Sequence, residues 1–130
     1  MDFHFASAWE VVADKFPNRV ATISDDKPLS WQEFERRASC IASLLEEHGL
    51  GPDSKAGLYL HNCSEYQEAQ FGIFKVGGCP INVNYRYKSD ELVYLLDNSD
   101  AEAVFFQSCY AMRIWDCLLY TSDAADDLVG

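Results

Sequence analysis

The sequence predicts an α/β fold, a parallel β-α-β-α-β core to which an N-terminal helix and a β-hairpin are added. Two observations carry this. Three short apolar runs, Ala56 to His61, Cys79 to Val83 and Ala101 to Phe106, are separated by two stretches with helical spacing of apolar residues, Ser64 to Val76 and Ser89 to about Asn98. Strands joined by helices of crossover length pair in parallel through right-handed connections. Upstream, Arg19 to Ser24 and Lys27 to Leu29 flank Asp25-Asp26, which reads as a tight turn joining an antiparallel pair.

The elements follow in order. Trp9, Val12, Ala13 and Phe16 recur at helical spacing, so a helix is expected from Ala6 to Phe16, ended by Pro17-Asn18. After the hairpin, Ser30-Trp31-Gln32-Glu33 has capping-box spacing: the hydroxyl accepts from the third amide and the glutamate reaches back to the cap amide. The helix that follows carries Phe34, Ala38, Ile41, Ala42 and Leu45 on one face, allows Glu33 to pair with Arg37, and ends at His48-Gly49. His48 there suits the negative helix end better than catalysis. Gly51-Pro52-Asp53 turns into the first parallel strand, Tyr66, Ala69, Ile73 and Phe74 define the next helix face, and Gly77-Gly78 stops that helix. Ser89 is the expected cap of the last helix, and Pro80 is tolerable only near the start of its strand.

Composition limits the function. A chain of 130 residues supports one domain or part of one, and 21 acids against 10 bases leave no basic stripe to follow a nucleic-acid backbone. Cys40, Cys63, Cys79, Cys109 and Cys117 are odd in number and lack C-x-x-C spacing. Reduced core thiols in a cytoplasmic protein are therefore expected, with neither a disulfide framework nor a zinc site. No apolar run approaches the roughly 20 residues that span a bilayer, and Asp2 and His4 do not suit a signal peptide.

Few residues suggest chemistry. Phosphate is usually cradled where a strand turns into a helix through glycines, yet the turn His61-Asn62-Cys63-Ser64-Glu65 has none, and Gly77-Gly78 lies at the opposite junction. His61 and Cys63 could form a nucleophile pair, but no third group orients them. Glu65, Glu68, Asp90, Glu91 and Asp97 are expected on solvated helix faces. Asn62-Cys63-Ser64 matches a glycosylation sequon by chance in a cytoplasmic chain.

Two stretches carry a family resemblance. Pro28-Leu29-Ser30-Trp31-Gln32-Glu33-Phe34 and the run from Phe74 through Gly77-Gly78-Cys79-Pro80 to Asn84 are similar, in order and spacing, to two motifs of the adenylate-forming (AMP-binding) enzymes. That superfamily holds acyl-CoA synthetases, luciferases and peptide-synthetase adenylation domains. Tyr85-Arg86-Tyr87 and the acidic helix start after it resemble the acyl-CoA synthetase branch, and the likeness covers nearly all of residues 3–114. It implies a ligase that uses ATP and Mg2+ to convert a carboxylic acid to an acyl-adenylate, then transfers the acyl group to coenzyme A. The family's phosphate loop, ribose-binding aspartate, hinge and adenylation lysine have no counterpart in these residues. No catalytic, cofactor-binding or metal residue is therefore assigned, and an N-terminal fragment inactive by itself is expected. The alternatives are a free-standing α/β binding or interaction module and part of a peptide-synthetase adenylation domain, against which Asn82-Val83-Asn84 departs from the expected proline-rich, aspartate-ended version. The acyl chain is not fixed by the residues present; a medium or long fatty acid, or a sterol side-chain acid, is the expectation.

Residues 117–130 stand apart. Cys117-Leu118-Leu119-Tyr120-Thr121-Ser122-Asp123-Ala124-Ala125-Asp126-Asp127 resembles the in-frame translation of a sequencing adapter. The expected domain is thus 1–116, with 117–130 a non-native read-through tail.

Overall fold

The computed structural model describes residues 5–120. The elements run α1 (Phe5–Lys15), β1 (Val20–Ser24), β2 (Lys27–Ser30), α2 (Trp31–Glu47), β3 (Lys55–Tyr59), α3 (Ser64–Lys75), β4 (Cys79–Asn82), α4 (Ser89–Ser99), β5 (Ala103–Phe106), a short 3-10 turn (Ser108–Tyr110) and α5 (Ala111–Tyr120). β1 and β2 pair antiparallel, and a second sheet has the order β4-β3-β5, both pairings parallel. The described residues fall into two compact units: residues up to Asp53 with Asn62–Gly78, and Ser54–His61 with Cys79 onward. The expected class and order of strands and helices are those observed, and the 3-10 turn and α5 are additions that the sequence pattern did not mark.

In the first unit, Asp25 and Asp26 take φ of 51° and 61°, the paired left-handed conformation that matches a two-residue hairpin turn to strand twist. Ser30 caps α2, accepting from the Glu33 amide at 3.2 Å. The second half of the capping box does not form. Glu33 instead grips Arg36, one turn on, at 2.5 Å, and Arg37 crosses to Glu68 at 2.7 Å. Glu68 is the clearest departure from its expected solvated place: it is 3% exposed and accepts from both Arg37 and the Ser64 hydroxyl, the pairing a buried carboxylate requires. Gly49 and Gly77 take φ of +84° and +80°, ending α2 and α3; a Cβ on Gly77 would also meet Pro52 Cα at 3.3 Å.

Aromatic packing fills this unit. Trp9 of α1 lies 5.1 Å from Phe71 and 6.0 Å from Phe34, and Ala6, Phe34, Ala38 and Phe71 are buried among them. Phe16, expected on the α1 stripe, lies just past the helix, 43% exposed beneath the Arg19 guanidinium. α2 and α3 approach so closely at Gly72 that a Cβ there would sit 2.6 Å from Ile41 Cγ2 and 3.1 Å from the Ala38 carbonyl. One cation serves three helices: Lys75 Nζ lies 2.7 Å from Glu10 and 2.5 Å from Glu35, its side chain only 9% exposed. Burial works against the Lys75 charge, but the two carboxylate hydrogen bonds more than offset it, and its pKa is raised. The hydrogen bond from Lys75 holds the Glu35 carboxyl below its ordinary value.

In the second unit, β3 runs at the centre, in register from Lys55↔Cys79 to Leu58↔Asn82 on one side and from Ala56↔Ala103 to Tyr59↔Phe106 on the other. Gly57 leaves room for neighbours: a Cβ there would touch Val83, Leu96 and Val104 at 3.4–3.6 Å. Tyr59, Val83, Leu92, Leu96, Val104, Tyr110, Ile114 and Cys117 form the core. Ser89 is not the cap of α4. Lys88 holds that position, and the Ser89 hydroxyl, one residue inside the helix, donates to the Arg113 carbonyl. The expected domain boundary between residues 116 and 117 falls inside α5, and residues 121–130 of the expected tail lie outside the described residues.

None of the five cysteines is in a disulfide, yet only Cys117 is buried; Cys40, Cys79 and Cys109 are exposed and Cys63 is half-buried. The expectation of core thiols fails because Cys40 falls between the buried Ala38 and Ala42 on α2, off the stripe they define, and Cys79 opens an edge strand.

Two outcomes test this packing. Gly72→Ala should cost about 1–3 kcal/mol as an overpacked contact, read as a lower urea midpoint, and Ile41→Ala should recover part of that loss; additive effects would show that α2 and α3 do not meet at this point. The Glu35 interaction with Lys75 is complete at neutral pH. Because the folded Glu35 pKa is depressed, that stability should be lost as pH falls below about 4.5, the ordinary glutamate value. In Lys75→Met this loss should vanish, so the stability gap between wild type and variant should narrow on acidification. A gap constant with pH would refute the pairing.

Candidate functional site

The first unit holds an open groove of about 580 Å3 between the hairpin and the start of α3. Trp9, Trp31 and Phe34 line it together with Thr22, Ser24, Asp25, Asn62, Cys63, Ser64 and Gln67. The Thr22 hydroxyl oxygen is buried with no hydrogen-bond partner among the described residues, beside the irregularity in register between Val20 and Thr22. Cys63 stands at the N-cap of α3 but gives that helix no side-chain cap. No lysine, arginine or histidine lines the groove, and Asp25 adds a negative charge, so its chemistry does not suit a phosphate.

The second unit gathers aromatic and basic side chains beyond the carboxyl ends of its parallel strands, the position at which open α/β sheets commonly bind ligands. His61, two residues past β3, stacks on Tyr85 at a centroid distance of 4.3 Å and on Tyr110 at 5.5 Å. Its Nε2 is hydrogen-bonded to the Tyr110 hydroxyl, and its backbone N–H donates to Gln107 Oε1, just past β5. Arg113 of α5 donates from one nitrogen to Tyr59 Oη at 3.1 Å and to the Tyr85 carbonyl at 2.9 Å. Tyr59 itself donates to the Tyr87 carbonyl at 2.5 Å. The loop from Tyr85 to Tyr87 is thus tied at both ends, with the exposed Arg86 between them and its guanidinium over the Tyr85 ring. The Tyr59 hydrogen bond raises the Arg113 pKa, and loss of water around Tyr110 pushes its phenol up.

His61 is engaged by Tyr85, Tyr110 and Gln107 in the second unit, and Cys63 stands at the start of α3 in the first. Burial, the largest influence on it, pushes the Cys63 thiol up, away from thiolate character. His48 caps α2, its Nδ1 2.9 Å from the Leu44 carbonyl. The cluster around Tyr59 and Arg113 went unseen in the sequence because its members come from separated stretches, 59–61, 85–87 and 107–113; His61 drew notice only beside Cys63, and Tyr85 and Tyr87 only through the resemblance.

Neither unit fits the nucleotide and metal that the family implies. Both left-handed glycines follow helices and not strands, the β3–α3 turn has no glycine, and among the described residues no group of three His, Cys, Asp or Glu could hold a metal ion.

The sequence profile of the AMP-binding enzymes matches residues 9–127. The chain belongs to the AMP-binding enzyme family. Over 126 residues, 97% of this chain, it is 39% identical to a medium/long-chain-fatty-acid--CoA/3-oxocholest-4-en-26-oate--CoA ligase of Mycobacterium marinum. Over 118 residues, 91% of the chain, it is 37% identical to a 3-oxocholest-4-en-26-oate--CoA ligase of Rhodococcus rhodochrous. It spans 23% and 21% of the lengths of those two relatives. The fold superimposes on the N-terminal domain of FACL13 from Mycobacterium tuberculosis with a TM-score of 0.89, at 19% identity, covering 99% of this chain and 34% of that one. The Pro28–Phe34 and Phe74–Asn84 motifs thus sit in this family member as helix cap, helix stop and strand.

Cys63 should be alkylated by iodoacetamide at pH 8 more slowly than Cys40, Cys79 and Cys109, as expected for a raised thiol pKa. Labelling of Cys63 ahead of these exposed thiols, read by peptide mass mapping, would restore it as a nucleophile.

Proposed function

We propose that this chain is the N-terminal part of an AMP-forming acyl-CoA synthetase, a cytoplasmic ligase that activates a fatty or sterol side-chain acid with ATP and Mg2+ and transfers it to coenzyme A. The observation that carries this reading is the alignment of 126 residues at 39% identity with a fatty-acid and 3-oxocholest-4-en-26-oate CoA ligase. The absence of a phosphate-cradling turn from the described residues agrees with chemistry that resides elsewhere in the longer protein. With it goes the proposal that residues 1–116 are native domain and 117–130 a read-through tail.

Sequencing the source DNA past the codon for Asp116 tests both parts. The expected result is a frame that continues without the adapter-like stretch into a glycine-rich phosphate loop and a later lysine. A natural stop codon soon after residue 130 would instead support an independent α/β module. The purified 130-residue chain should catalyse no exchange of pyrophosphate into ATP with a panel of fatty acids. Exchange that persists through repurification would overturn the reading and direct attention to His61 and Cys63.

A further inference from the structure

We draw no further inference here: the strongest candidate, the open groove of the first unit that Trp9, Trp31 and Phe34 line between the β1–β2 hairpin and the start of α3, carries nothing, because nothing in the structure shows what covers it.

Discussion

A backbone buried on both sides must find a hydrogen-bond partner for every amide and carbonyl, and in the second unit that requirement falls on β3. Ala56, Gly57, Leu58 and Tyr59 are all buried. Their polar groups are satisfied only because β4 lies against one side and β5 against the other, each in parallel. Parallel neighbours require long crossovers, which is why a helix follows each of β3 and β4. The same requirement brings the residues after β3 and β5 together at one end of the sheet, so that the His61 amide finds the Gln107 side chain and its ring finds Tyr110.

The first unit is organised by charge as much as by apolar packing. Glu68 is buried, and Lys75 nearly so; each is compensated, the carboxylate by Arg37 and Ser64, the ammonium by Glu10 and Glu35. An isolated buried charge would cost several kcal/mol, so such groups act as registration devices between helices: removing either partner exposes the other to that cost. Gly72 complements them by allowing the α2 and α3 backbones to approach where Ile41 would otherwise collide. The two motifs shared with the AMP-binding enzymes, Pro28–Phe34 and Phe74–Asn84, appear here as a helix cap, a helix stop and a strand.

The aromatic cluster shows how a family's architecture exceeds what a fifth of its length contains. Tyr59, Tyr85, Tyr110 and Arg113 fix a loop at the carboxyl end of the sheet, the end at which α/β proteins bind ligands, and among the described residues no group of three His, Cys, Asp or Glu could hold a metal ion. Arg113 uses its guanidinium on a phenol and backbone carbonyls, holding protein in place.

What the sequence determined by itself were features set within a few residues: the 3.6-residue stripe of α2, the Ser30 cap, the Asp25-Asp26 turn, the glycine stop at Gly77 and the alternation of strand and helix that makes a parallel sheet. Each depends on local sterics or on hydrogen bonds spanning three or four residues, which are written in adjacent letters. The family, too, was legible, because its two motifs are contiguous. Partner choice was decided by tertiary structure. Glu33 took Arg36 and not the cap amide or Arg37, because Arg37 had a buried carboxylate, Glu68, 31 positions away to neutralise. Ser89 gave up its capping role for the Arg113 carbonyl, 24 positions on. α5, whose place depends on packing onto α4, had no local signal strong enough to announce it. Electrostatic compensation and burial depend on which segments meet in space, and a linear pattern with several equally spaced acids and bases does not contain that choice.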